Sequence, residues 1–225
     1  MTDIVNHDAH RKSITGIPEC VLAEPKTNDQ LTQSIIKAVE KNNNVAVTRL
    51  SENQALFIDK FCSKYNHDII FDKYRRTAII GSYKQNLHSE NLIAIVSAGT
   101  SDNYIVTEVT FLLRYFGYDA ETFSDVGVAG IHRHREALDK IENNSMIKLI
   151  IIVAGQEGAL FSVISAQTKL PVVSIPTSIG YGFGGKGITA LQSALQSCSP
   201  GITVLNIDNG FGGAAFAAKL LNLFE

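Results

Sequence analysis

A chain of 225 residues holds one large domain or a small domain attached to a medium one, and 45% hydrophobic with 19% charged residues can bury a real core. A net charge of −2 with no basic run argues against nucleic acid as a partner, and no apolar run approaches the length that spans a bilayer. Cys20, Cys62 and Cys198 lie far apart without metal-ligand or paired spacing, and no apolar segment follows a basic start, so the expected location is cytoplasmic, with reduced thiols.

Residues 1–15 are polar and read as a loose arm or a short helix, with His7 and His10 solvated rather than metal-bound. Thr27-Asn28-Asp29-Gln30 has the form of a capping box and opens a helix with Leu31, Ile35, Ala38 and Val39 on one face. A short strand comes next at 45–48. A second capping box, Ser51 to Gln54, opens a helix that turns Ala55, Ile58 and Cys62 inward. Apolar runs at 69–71 and 77–80 complete a small N-terminal α/β domain, assigned to residues 1–85. The aperiodic stretch SYKQNLHSEN, 82–91, reads as a linker.

A second domain, 90–225, alternates strand and helix. Its predicted strands are 92–96, 120–123, 149–153, 172–175 and 203–206; its helical patterns are 106–115, 135–141, 159–167, 188–195 and 214–223. Regular alternation predicts a three-layer α/β/α parallel sheet with right-handed crossovers. The run Leu149-Ile150-Ile151-Ile152-Val153 has no polar side, the pattern of a central strand covered on both faces.

The loops at the strand ends carry the chemistry, because open α/β sheets bind ligands beyond the carboxyl ends of their strands. After the first strand comes Ser97-Ala98-Gly99-Thr100-Ser101-Asp102, where backbone N–H groups can hold phosphate and Asp102 can accept ribose hydroxyl protons, or where Ser101 or Asp102 caps the helix. After the second, His132 and Arg133 open a helix whose dipole they oppose, a conflict that favours function. After the third comes Gly155-Gln156-Glu157-Gly158-Ala159, with a carboxylate at the mouth of a helix. After the fourth, five glycines between Ile179 and Ile188, Gly182 among them, let backbone approach a ligand. The last strand leads into Asp208-Asn209-Gly210-Phe211-Gly212-Gly213. Together these loops describe a nucleotide-type pocket.

Cys198 lies near a helix C-terminus, whose partial negative charge disfavours a thiolate, so the residues alone favour a buried, inert cysteine. The Rossmann fingerprint and the GxxxxGK[ST] phosphate loop are both absent.

The motifs SAGTSD, DVGVAGIHR, VAGQEGAL, PTSIGYG, SCSPG and NIDNGFGG, in this order, resemble those of the pyridinium-3,5-biscarboxylic acid mononucleotide synthases. GIPECVLAEPKT and NVAVTRLS are similar to that family's N-terminal region, so the resemblance covers nearly the whole chain. These enzymes begin the synthesis of the nickel-pincer cofactor of lactate racemase. Their C-terminal half is similar to the aminoimidazole ribonucleotide carboxylase and mutase fold of purine synthesis.

The resemblance implies nicotinic acid adenine dinucleotide as substrate, carbon dioxide or bicarbonate as co-substrate, and Mg2+ whose ligands the sequence does not identify. The ring is carboxylated and the phosphoanhydride hydrolysed, with release of AMP. The family's nucleophilic cysteine falls on Cys198 and its catalytic glutamate on Glu157, which reverses the inert reading of the thiol. Asp102, Ser101, His132 and Arg133 match positions that hold ribose and phosphate in the purine enzymes. Ser97, Gly99, Thr100, Gly155, Gly158, Ala159, Gly182, Asp208 and Asn209 complete the expected substrate-binding set. The purine mutases have GAAHLPG-like residues where this chain has Gly155 to Leu160, so purine-type carboxylation is the alternative, and a non-catalytic nucleotide sensor a third. Relatives with this sheet form octamers, and the apolar final helix makes a homo-oligomer, an octamer, the expected assembly.

Overall fold

The computed structural model describes residues 5–87 and 90–224; part of the expected arm (1–4) and of the expected linker (88–89) lies outside them. The chain divides into two units, one running to Asn86 and including Arg114–Gly117, the other formed by Leu87–Leu113 and everything from Tyr118.

In the first unit a short helix α1 (Arg11–Thr15) precedes β1 (Val21–Leu22), α2 (Asn28–Asn42), β2 (Asn44–Thr48), α3 (Glu52–Tyr65), β3 (Ile69–Phe71) and β4 (Ala78–Gly81). Both capping boxes form: Thr27 accepts from Gln30 N–H and Ser51 from Gln54 N–H, with each glutamine reaching back. Each helix stops on a left-handed asparagine, Asn43 or Asn66, a residue type that tolerates positive φ. The sheet order is β1-β2-β4-β3, with β1 parallel to β2 and the other pairs antiparallel. Leu31, Ile35 and Ala38 of α2 pack with Ala55, Ile58 and Cys62 of α3 over Val45, Val47 and Ile80. At two residues, β1 is too short to show a period, and no sequence pattern announces it. One expectation fails: His7 is buried, with Nδ1 3.2 Å from Glu19 and Nε2 2.9 Å from Asn42, whereas His10 is exposed. Burial lowers the His7 pKa, opposed by the Glu19 charge.

The second unit has β5 (Leu92–Ser97), α4 (Asn103–Phe116), β6 (Asp119–Phe123), α5 (Ile131–Asn143), β7 (Ile147–Ala154), α6 (Ala159–Ser165), β8 (Val172–Pro176), α7 (Ile188–Leu195), β9 (Ile202–Val204) and α8 (Gly210–Leu221). All five strands are parallel, in the order β6-β5-β7-β8-β9. This is the α/β parallel-sheet fold that strand–helix alternation predicts. Side chains alternate between the two faces. Ala94, Val96, Ile150, Ile152 and Val172 pack under α5, α6 and α7 with Leu138, Ile141, Leu160, Phe161, Ile164 and Ala194. The other face carries α8, whose Gly213 leaves room for Ile175: a Cβ there would lie 2.6 Å from Ile175 Cδ1. The expected start of the last helix at Ala214 is corrected to Gly210, because the Asn209 side chain accepts from Gly212 N–H and makes the glycine run its first turn. The expected strand 203–206 is 202–204.

Candidate functional site

Chain order reverses between β5 and β7, the first and third strands of the unit, with β6 on one side and β8 on the other. Connections on the two sides of that point run to opposite faces, leaving a crevice outside the carboxyl ends.

The loop after β5 is built around Asp102. A short 3-10 turn, Thr100–Asp102, precedes α4, and the buried Asp102 carboxylate takes one hydrogen bond on each oxygen. Gly99 N–H donates to Oδ2 at 2.9 Å and the Thr177 hydroxyl to Oδ1 at 2.7 Å. Burial raises the Asp102 pKa, these two bonds lower it, and the Asp208 charge raises it again. Asp102 therefore ties the β5 loop to the β8 loop.

Asp208, left-handed at φ 56°, makes the next tie. Tyr104 donates to its Oδ1 at 2.5 Å and Ser178 N–H to the same atom at 2.8 Å. The β7 loop joins through Gln156 N–H, which donates to Ile179 O at 2.9 Å. A side chain at Gly155 would overlap Ile179 O and stand 2.7 Å from Thr177 Oγ1, so only glycine permits this approach. Gly158, at φ +67°, opens α6, and a Cβ there would press on Ala190 of α7 at 3.0 Å. At the β6 end, Val126 N–H donates to Ser97 O, and Arg133 is held by Asp125, donating to its carbonyl at 2.8 Å and its carboxylate at 2.9 Å.

Ser97, Gly99, Asp102, Gly155 and Asp208 thus meet at one edge. Ser97 is fully buried, its hydroxyl without a hydrogen-bond partner among the described residues. Thr100, Ser101, His132 and Gly182 are exposed around that edge, while Arg133, Ala159 and Asn209 are partly buried, Asn209 serving as the α8 cap. Tyr104, Thr177 and Ser178 make these ties without having been among the expected site residues, although Thr177 and Ser178 stand in the PTSIGYG motif. Thr177 and Ser178 directly succeed a strand end, which was an available signal. Tyr104 had none, because its partner lies 104 positions away.

Glu157 is exposed beyond the carboxyl end of β7. Cys198 is exposed as well, which overturns the buried reading. It lies three residues past the end of α7, between Ser197 and Ser199, which both turn to Ser162 of α6 and leave the thiol facing outward. The other two cysteines are poor nucleophiles. Burial, with Glu19 beside it, pushes Cys20 up to about 12, and burial pushes Cys62 up to about 11.

Strand order, crevice and glycine-shaped edge define a doubly wound α/β domain of the 2-1-3-4-5 type. Residues 92–225 match the family model described as AIR carboxylase, and residues 1–81 match the LarB/PurE-like N-terminal domain. The chain belongs to the AIR carboxylase family. An uncharacterized protein of Methanocaldococcus jannaschii is 39% identical over 220 residues, covering 97% of this chain and 84% of that protein. The N5-carboxyaminoimidazole ribonucleotide mutase of the same organism is 32% identical over 134 residues, 59% of this chain and 80% of the mutase. The crystal structure of Treponema denticola PurE overlays on 60% of this chain and 82% of its own with a TM-score of 0.51 at 19% identity, a likeness of fold. No helix among the described residues is long and apolar enough to cross a membrane.

Proposed function

We propose that this chain carboxylates the pyridinium ring of nicotinic acid adenine dinucleotide and hydrolyses its phosphoanhydride, giving pyridinium-3,5-biscarboxylic acid mononucleotide and AMP. The observation that carries the reading is that, of three cysteines, the exposed one is Cys198 in SCSPG, while Glu157 stands open at the switch-point edge. The LarB/PurE-like match over residues 1–81 supports it.

The thiolate of Cys198 adds to a ring carbon ortho or para to the cationic nitrogen. The ring becomes a neutral dihydropyridine whose enamine carbon attacks carbon dioxide, forming the new carbon–carbon bond. Glu157 takes the proton from that carbon, and expulsion of the thiolate restores the aromatic ring. Ring C–H and carbon dioxide become ring carboxylate and a proton. The cationic ring favours the thiolate by direct attraction, so no activating helix end is required. Among the described residues no group of three or more His, Cys, Asp and Glu is set to hold a metal. Mg2+ would therefore take most of its ligands from the substrate phosphates and water. The enzyme works in the cytoplasm as a homo-oligomer, an octamer in this reading.

Incubation with nicotinic acid adenine dinucleotide, bicarbonate and Mg2+, then mass analysis, should show AMP and a ring that has gained a carboxyl group. A second reading, purine-type carboxylation or mutation of an aminoimidazole ribonucleotide, is favoured by the AIR carboxylase match over 92–225. Turnover of that ribonucleotide with none of the dinucleotide would establish it instead.

A further inference from the structure

We infer that the first unit carries a ligand site of its own, in the groove between α2 and α3. Its ligand is an adenosine monophosphate group, either free AMP or the adenylyl half of a dinucleotide. The inference stands on the groove itself and does not need the proposed reaction.

The groove has a volume of about 580 Å³, within the range of about 300–1,000 Å³ that holds a small molecule. Its α3 wall combines two stripes. Phe57, Phe61 and Tyr65 recur every four residues, so their rings lie in a row along one helix face. The core uses that row only in part. Phe61 is 9% exposed and Phe57 packs at the core margin, whereas Tyr65 is 55% exposed, its ring 4.9 Å from that of Phe61. Beside the rings stand Lys60 and Lys64, one turn apart. That spacing leaves about 5–6 Å between Cβ atoms, which lets both ammonium groups reach one anion. Across the groove α2 contributes Asp29 and Gln33, which share a face.

These polar side chains are uncommitted. Gln30 and Gln54 reach back to cap their helices, but Asp29, Gln33 and Lys60 have no side-chain hydrogen bond or ion pair among the described residues. Lys64 overlies the Tyr65 ring, 5.2 Å from its centre.

Each feature answers one part of a nucleotide. The rings at the core margin offer a stacking surface to a flat heterocycle. Two ammonium groups against one carboxylate leave the groove positive in a chain of net charge −2, which favours a phosphate. The Gln33 amide donates and accepts at once, the pattern that N7 and the exocyclic amine of adenine present. Asp29 can accept from ribose hydroxyls, whereas an aromatic anion without a sugar would leave this carboxylate facing it unpaired. Base, sugar and phosphate together make the adenosine monophosphate group, which the reaction proposed above releases as AMP.

Two measurements on the whole chain test this, and neither needs turnover. An azido-adenine analogue of AMP, photolysed with the protein, should label residues 57–65, and unlabelled AMP should displace it. By calorimetry, Lys60→Gln combined with Lys64→Gln, and separately Tyr65→Ala, should each weaken AMP binding in the groove about tenfold or more. All three side chains are exposed, so the variants should melt as wild type. Label confined to the strand-end loops of the second unit, or an AMP affinity that neither variant changes, overturns the inference. Adenosine or inorganic phosphate competing as well as AMP also overturns it, because the groove would not be reading base and phosphate together. Nicotinic acid adenine dinucleotide competing as well as AMP upholds the site and makes the adenylyl half sufficient; competition by AMP alone upholds it for the free nucleotide. Should the groove be labelled in protein that leaves the dinucleotide unconsumed, the proposed reaction falls and the groove site stands.

Discussion

The two units use their buried polar side chains for different ends. In the first they are paired singly, at separate places: Asp72 Oδ1 accepts from Tyr74 and Arg76 N–H and closes a turn, Gln54 donates to Ala23 O and Lys26 O, and His7 bridges Glu19 and Asn42. In the second, Ser97, Asp102 and Thr177 gather at one sheet edge, where Asp102 links two loops. Burying a polar group costs about 1–3 kcal/mol unless it is paired. Scattered pairs therefore stabilise a fold, whereas several concentrated at strand ends shape a pocket. Loss of activity without loss of stability is accordingly expected in the second unit, and loss of stability alone in the first.

The largest effects should fall on the exposed pair in the second unit. Cys198→Ser should abolish carboxylation, since an alcohol is a far weaker nucleophile toward the ring. Glu157→Gln should lower it by about 10²–10⁴-fold and accumulate the dihydropyridine adduct, seen as near-ultraviolet absorbance and as added mass on the intact protein. Both side chains are exposed, so thermal melting should stay at the wild-type value. Near-normal activity in Cys198→Ser, with Cys20 or Cys62 essential instead, would break the covalent assignment.

Asp102 straddles the contrast because it serves pocket and fold together. Asp102→Ala leaves Gly99 N–H and the Thr177 hydroxyl without their acceptor and should cost about 1.5–3 kcal/mol in denaturant melts, with weaker substrate binding. Its folded pKa is raised by burial, so its contribution is fully present below the unfolded value of 3.8 and is lost as pH rises through the folded one. Asp102→Asn should remove that part of the decline in stability with rising pH, measured by urea titration across the carboxylate range.

His7 gives the opposite sign in the first unit. Burial lowers its folded pKa below 6.5, so its contribution is present above 6.5 and is lost as pH falls through the folded value. His7→Gln should flatten the fall in melting temperature between neutral and mildly acid pH while leaving turnover at neutral pH unchanged. A turnover defect in this variant would mean that the first unit also serves the chemistry. The smallest effect belongs to the caps: Thr27→Ala and Ser51→Ala should each cost about 1 kcal/mol by chemical denaturation, with activity untouched.

Much of this architecture is legible locally. Both capping boxes can be read because their partners lie three positions apart, and β7 because five consecutive apolar residues leave no polar face. The strand-end loops are legible because strand–helix alternation places them at one edge. The burial of His7 escapes such reading because it depends on Glu19 and on Asn42, 35 residues away. The exposure of Cys198 escapes it because the outward direction is set by Ser197 and Ser199 bonding to Ser162, a contact no local pattern records.

Residue order alone is enough for the strands, the helices and the chemical types at each strand end, since these depend on neighbours within a turn or two of chain. It is also enough for the kinship with the AIR carboxylase family, through motifs whose succession survives without coordinates. Three-dimensional packing was needed to learn that Asp102 bonds Thr177, that Tyr104 bonds Asp208, and that Glu157 and Cys198 stand at opposite edges of one sheet. Those relations arise from strand order and direction, which bring together residues 75 and 104 positions apart and separate a pair only 41 apart.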